Sequence, residues 1–173
     1  MDLLQKFSTL KALAFDMDGV LTDGGLWILP DGEWVRRMHI RDGYALQAAV
    51  KEGYLLMVIS GSVSRPVEQR LRRLGVNEVH MGVSDKLSCL IDILSANGVD
   101  PGDCLFMGDD LPDLESVRTA GIGCCPADAA SELREASDYV SPLRGGEGCV
   151  RDVIERVMRS RGVWSHADEL RSH

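Results

Sequence analysis

Residues 10–25 read LKALAFDMDGVLTDGG: an apolar run from Leu10 to Phe15, broken only by Lys11, ends on Asp16, passes Asp18 and meets Gly19. A run of this kind predicts a buried strand whose carboxyl end delivers Asp16, with Asp18 on the turn that follows. Outward from it the pattern repeats. Tyr54–Ser60 (YLLMVIS), Val79–Met81, Cys104–Gly108 (CLFMG) and Gly121–Cys125 predict further strands. Helical segments separate them: 43–50, 65–74 closed by Gly75, 86–97 stopped by Gly98, 111–119, and 148–159 with Val150, Val153, Ile154 and Val157 on one face. Buried strands alternating with amphipathic helices predict an α/β fold, a doubly wound, Rossmann-like parallel sheet. Ligands of such sheets bind beyond the carboxyl ends of the strands. Polar residues gather there: Asp16, Ser60, Gly108 and Asp109.

One segment departs from the alternation. Within 25–40 (GLWILPDGEWVRRMHI), two apolar arms flank Pro30-Asp31-Gly32, which predicts a β-hairpin insertion. Trp27, Ile28, Trp34 and Val35 give it more apolar surface than a free ribbon should leave in water.

With 173 residues, 45% hydrophobic and 27% charged, the chain suits one soluble domain with its own core. We place that domain at 1–163, followed by a polar C-terminal tail, 164–173. The net charge of −8 argues against nucleic acid and membrane partners, because an acidic surface repels both phosphate backbones and anionic lipid. Five cysteines without metal-like spacing predict reduced, core-filling thiols. Cys124-Cys125 reads the same way. No apolar run approaches a membrane span, and the N-terminus lacks the form of a signal peptide, so a cytoplasmic location is expected.

The chemistry lies in the acids. Alone, Asp16 and Asp18 would be a loop of solvated carboxylates, Ser60-Gly61 a common turn, and Lys86 a surface charge. Asp109, Asp110 and Asp113 in GDDLPD are costly side by side unless a cation is present. Together they supply what phosphoryl transfer needs. Asp16 can attack phosphorus. Asp16, Asp109 and the backbone carbonyl of Asp18 can offer oxygens to Mg2+. Ser60, Gly61 and Lys86 can hold phosphoryl oxygens, and the Asp18 side chain can protonate the leaving oxygen and then activate water.

DMDGVLTDG, the strand ending at Ser60, Lys86 and GDDLPD resemble, in order, the four motifs of the haloacid dehalogenase (HAD) superfamily. The resemblance spans most of the chain. It implies Asp16 as nucleophile, Asp18 as acid/base, Ser60 and Lys86 as phosphate ligands, Asp109 as metal ligand and Asp113 as its supporting acid. No room for a large cap domain exists between the motifs. DGVLTDG, HIRDG (39–43), GVSDK and RGGEGCVRD (144–152) resemble the capless phosphatases of 3-deoxy-D-manno-octulosonate 8-phosphate. That group implies a homotetramer in which four hairpins build a shared barrel and a neighbour helps close each site.

Ser60-Gly61-Ser62 departs from the Ser-Gly-Arg usual in that group. Gly24-Gly25 and Gly32-Glu33-Trp34 look more like phosphatases of nine-carbon keto-sugar acid 9-phosphates, which stay open as an alternative. So does a non-catalytic oligomerisation module like those attached to sialic acid cytidylyltransferases, although such a module needs none of Asp16, Asp18, Lys86 or Asp109. His39 suits either a substrate contact or a structural hydrogen bond at the hairpin exit. Arg151 suits a substrate carboxylate or a surface ion pair. Of the cluster Arg70, Arg72 and Arg73, otherwise a solvated face, Arg70 is the residue expected to reach substrate.

Overall fold

The alternation in LKALAF sets the layering. In β1 (Ala12–Phe15) every residue is buried; Leu13 and Phe15 join one core and Ala12 and Ala14 the other. Period-two side-chain alternation accounts for this split. The computed structural model describes residues 2–164. Of the tail assigned to 164–173, Trp164 packs edge-on against Tyr44, and the rest lies outside the described residues.

β1 is joined in parallel by β4 (Leu55–Ile59) on one side and β6 (Cys104–Met107) on the other. β5 (Glu78–His80), β7 (Ile122–Cys125) and β8 (Tyr139–Val140) complete a six-stranded sheet in the order β5-β4-β1-β6-β7-β8, all parallel. Strands are added from β1 outward to β5 on one side and then from β6 outward to β8 on the other, which makes the gap between β1 and β6 the switch point where such sheets bind ligands.

The first core lies beneath α1 (Leu3–Thr9), α2 (Ile40–Lys51), α3 (Arg65–Arg73) and α7 (Cys149–Ser160). The second lies beneath α4 (Lys86–Ala96), α5 (Leu114–Thr119) and α6 (Ser131–Ala136). Phe15 and Phe106 are the largest fully buried side chains, each stabilising the fold by about 2–3 kcal/mol.

The expected hairpin is present. β2 (Trp27–Ile28) and β3 (Trp34–Val35) pair antiparallel, and a single bridge between Thr22 and Met38 closes its base. Trp27 is 72% exposed, Ile28 68% and Trp34 55%. No cap domain intervenes between the motifs. Between Asp18 and Ser60 lie only the hairpin, α2 and β4.

Several elements differ from the sequence reading. α1 was not foreseen, although Asp2 and Gln5 form a capping box at its start. α6 and the two-residue β8 were also missed. α2 begins at Ile40 rather than Gly43, because the His39 Nδ1 accepts the Arg41 amide and caps it. Among the described residues no helix is long and apolar enough to cross a membrane.

Candidate active site

Three strand ends converge, and each is fixed by the last bond of its ladder. The amide of Asp16 donates to the Met107 carbonyl at 2.9 Å, that of Ser60 to His80 at 2.9 Å, and that of Gly108 to Cys124 at 3.2 Å. Beyond Asp16 the chain makes a tight turn. Gly19 adopts a left-handed φ of 84°, and a Cβ there would collide with the Asp109 carboxylate. Glycine therefore lets the first and fourth motifs meet.

The side chains meet at Lys86, the first residue of α4. Its Nζ donates to Asp113 Oδ1 at 2.7 Å and pairs with Asp16 Oδ1 at 2.9 Å. Asp113 Oδ2 accepts the Asp109 amide at 3.1 Å. Burial opposes the charge on Lys86, but the Asp16 and Asp113 carboxylates more than offset it, and its pKa is raised.

Oxygen atoms of Asp16, Asp109 and Asp113 lie within 4.8 Å of one another. Burial, then repulsion from Asp113, pushes Asp16 up to about 6 even though Lys86 pulls the other way. Burial, then Asp16 and Asp113, pushes Asp109 up to about 7. One ammonium is too little positive charge for three such acids, and a divalent cation would supply the rest. An all-oxygen donor set fits a hard cation such as Mg2+. Asp113 already uses one oxygen on Lys86 and the other on the Asp109 amide. Asp16 and Asp109 are thus better placed as direct ligands, with Asp113 as their support.

These residues line a cavity of about 300 Å3 together with Asp18, Ser60 and Gly61. Ser60 is buried, and its hydroxyl accepts the Ser62 amide at 3.1 Å. Asp110 caps the turn at Leu111–Asp113 through the Leu111 amide. A larger cleft of about 460 Å3 contains His39, Arg41 and Arg151 but none of the motif acids. We assign the chemistry to the smaller cavity because the nucleophile and cation candidates converge there.

His39 and Arg70 do not line the cavity; Arg70 faces another, of about 380 Å3, between β3 and α3. Arg151 pairs with Glu155 at 3.3 Å and sits over the rings of Tyr44 and Trp164, as its ion-pair reading anticipated. Cys124 and Cys125 are buried and unbridged.

Two features escaped sequence reasoning. Arg36 holds Asp18 with both arms of its guanidinium, Nε to Oδ1 at 2.7 Å and Nη2 to Oδ2 at 3.1 Å. Gly145 and Gly146 press against the turn that follows Asp16: the Gly146 amide donates to Val20 at 2.9 Å, and a Cβ on Gly145 would strike the Gly19 carbonyl. RGGEG could have signalled such close backbone approach, whereas nothing local distinguishes Arg36 from Arg37.

No protein-family model matches the chain. It is 32% identical over 166 residues to the 3-deoxy-D-manno-octulosonate 8-phosphate phosphatase of Escherichia coli K12, covering 96% of this chain and 88% of that protein. The crystal structure of the phosphatase of that name from Moraxella catarrhalis, in complex with magnesium, phosphate and KDO, superposes with a TM-score of 0.89 at 35% identity, covering 91% of each chain. A HAD-superfamily (subfamily IIIA) hydrolase from Legionella pneumophila does so with a TM-score of 0.89 at 30% identity, covering 92% of this chain and 87% of that one. Fold and site define the class, the capless phosphatases of the haloacid dehalogenase superfamily. Within it the chain belongs to the 3-deoxy-D-manno-octulosonate 8-phosphate phosphatase family.

Proposed function

We propose that this protein is a magnesium-dependent phosphomonoesterase that works through an aspartyl-phosphate on Asp16, with 3-deoxy-D-manno-octulosonate 8-phosphate as its substrate. The observation that carries this reading is the Lys86 ammonium held between Asp16 and Asp113, beside Asp109 and at the mouth of β1.

Lys86 fixes one oxygen of Asp16, so the carboxylate has a set orientation for in-line attack. Asp16 forms the new bond to phosphorus as the phosphorus–sugar oxygen bond breaks, and the Asp18 carboxyl gives its proton to the departing alkoxide. Water then attacks the aspartyl-phosphate while Asp18 takes its proton, releasing inorganic phosphate and regenerating Asp16. Ser60, the Gly61 amide and Lys86 hold the remaining phosphoryl oxygens. Asp16, Asp109 and the Asp18 carbonyl, supported by Asp113, would hold Mg2+, which neutralises charge on the phosphoryl group.

The chain acts as one phosphatase unit to residue 163, in the cytoplasm, where its cysteines stay reduced. It assembles as a homotetramer through the hairpin, whose exposed Trp27, Ile28 and Trp34 support that reading. In the proposed tetramer Arg70 would reach a neighbour's substrate, and His39 is a further candidate for a substrate contact. The Ser60-Gly61-Ser62 sequence keeps a nonulosonate 9-phosphate as the second substrate reading.

A kinetic panel tests the proposal. 3-Deoxy-D-manno-octulosonate 8-phosphate should give the highest kcat/KM against nonulosonate 9-phosphates and simple sugar phosphates. EDTA should abolish turnover, Mg2+ restore it, and Ca2+ fail to, because its looser shell positions ligands poorly. Preference for a nonulosonate 9-phosphate would move the assignment to the second reading, and full activity without metal would contradict the site assignment.

A further inference from the structure

We propose that Arg36 is the positioning residue of the acid/base: it fixes the rotamer of Asp18 and ties it to the base of the hairpin. This rests on the assignment of Asp18 made above.

Asp18 needs such a partner. It sits on a turn, not in a strand or helix, and is followed by Gly19 in the left-handed region. Its side chain is 27% exposed, so packing alone leaves several rotamers open. The Thr22 hydroxyl reaches one oxygen at 3.3 Å, but Thr22 also accepts the amides of Gly19 and Gly24 at 3.3 and 3.2 Å. The two-armed bond from Arg36 engages both carboxylate oxygens and sets the plane as well as the distance. Proton transfer to a leaving oxygen depends on that placement.

The guanidinium has the character of a built-in part. Its side chain is only 2% exposed, whereas Arg37 beside it is 61% exposed and pairs with Asp23. Alternation along the extended chain after β3 turns one arginine inward and the next outward. So little exposure leaves Arg36 scant surface with which to read a substrate carboxylate. Its backbone directly follows β3 and lies within the loop closed by the Thr22–Met38 bridge. The hairpin therefore carries the group that orients Asp18, and hairpin position and acid/base placement are mechanically joined.

Leaving-group dependence separates this role from a merely structural one. An alkoxide needs the proton from Asp18, whereas nitrophenolate leaves without one. Arg36→Ala should lower kcat on 3-deoxy-D-manno-octulosonate 8-phosphate on the order of 100-fold with KM little changed. On 4-nitrophenyl phosphate it should keep a rapid first turnover and then stall, because Asp18 is also needed to activate water. In the Asp18→Asn background, removing Arg36 should cost nothing further. Millimolar guanidinium should restore Arg36→Ala but not the double variant.

Arg36→Lys keeps the charge with a single point of contact, and should show the same split at smaller size; it serves as the test if Arg36→Ala does not fold. An active wild type with a crippled Asp18→Asn, but an equal loss of the first-turnover rate on both substrates in the Arg36 variants, or losses that multiply with Asp18→Asn, would overturn this inference alone. A wild type inert on every phosphomonoester would overturn it together with the proposed function.

Discussion

Lys86 Nζ donates to Asp113 Oδ1 across 2.7 Å, with the lysine side chain 8% exposed and the aspartate 1%. The pair links the start of α4 to the turn after β6. It also completes a chain of contacts, Asp16 to Lys86 to Asp113 to the Asp109 amide.

Asp113→Asn should break that chain without changing its shape. Asp113 accepts at both oxygens, from Lys86 and from the Asp109 amide. An asparagine can accept at one and must turn an NH2 donor toward the other. The unmade bond should cost about 1–3 kcal/mol of stability, read by urea denaturation in EDTA. Activity with Mg2+ should fall as well, since the same residue supports Asp109. Relief of the repulsion that Asp113 exerts on Asp16 and Asp109 offsets part of that cost; unchanged stability together with unchanged activity would show that the contact does not hold the site together.

Asp42 gives a pH signature away from the site. It is 2% exposed, with Oδ1 accepting the Arg151 amide at the start of α7 and Oδ2 without a partner among the described residues. Burial pushes it up to about 6, against the pull of that amide. The folded value lies above the unfolded one, so the folded state binds the extra proton. The stability due to Asp42 is fully present below about 4 and lost as pH rises through about 6. Asp42→Asn mimics the protonated form. Its stability relative to wild type should therefore be greater at pH 7 than at pH 4, by up to about 3 kcal/mol at 1.4 kcal/mol per unit. Asp16 and Asp109 titrate in both proteins and cancel in the difference. A pH-independent difference would contradict the account.

Ile28→Asp with Val35→Asp should dissociate the proposed tetramer. Both side chains are exposed on the hairpin, so the isolated chain loses little core. The smaller species should keep activity on 4-nitrophenyl phosphate, because Asp16, Asp18, Lys86 and Asp109 line one cavity of one chain. They should lose far more on the sugar phosphate, whose remote contacts come from neighbours in the proposed tetramer. Light scattering paired with kinetics on both substrates checks this; a monomeric wild type would contradict it.

The difference between what sequence revealed and what it hid is physical. β1, β4 and β6 were legible because strands buried on both faces read as unbroken apolar runs. The hairpin was legible because Pro30-Asp31-Gly32 is turn chemistry. α1, α6 and β8 are short, with at most seven residues each, and carry too little periodicity to stand out. At the site, the carboxylates were readable from their place after strands. Lys86, which alone looks like surface charge, was readable only in company with them. Arg36 was not readable, because its pairing with Asp18 is set by where the hairpin returns, not by local spacing. His39 was open between two roles, and the hydrogen bond to the Arg41 amide is the structural one.

The central claim is a covalent bond between Asp16 and phosphate, and trapping it is the most direct test. Asp18→Asn should still be phosphorylated by 4-nitrophenyl phosphate, whose leaving group needs no proton, but should release phosphate slowly. Acid quenching during turnover with radiolabelled substrate, followed by peptide mapping, reads the outcome. The account predicts label on the peptide that contains Asp16, removable by hydroxylamine and absent from Asp16→Asn/Asp18→Asn. Label on another residue, or wild-type turnover retained by Asp16→Asn, would contradict it.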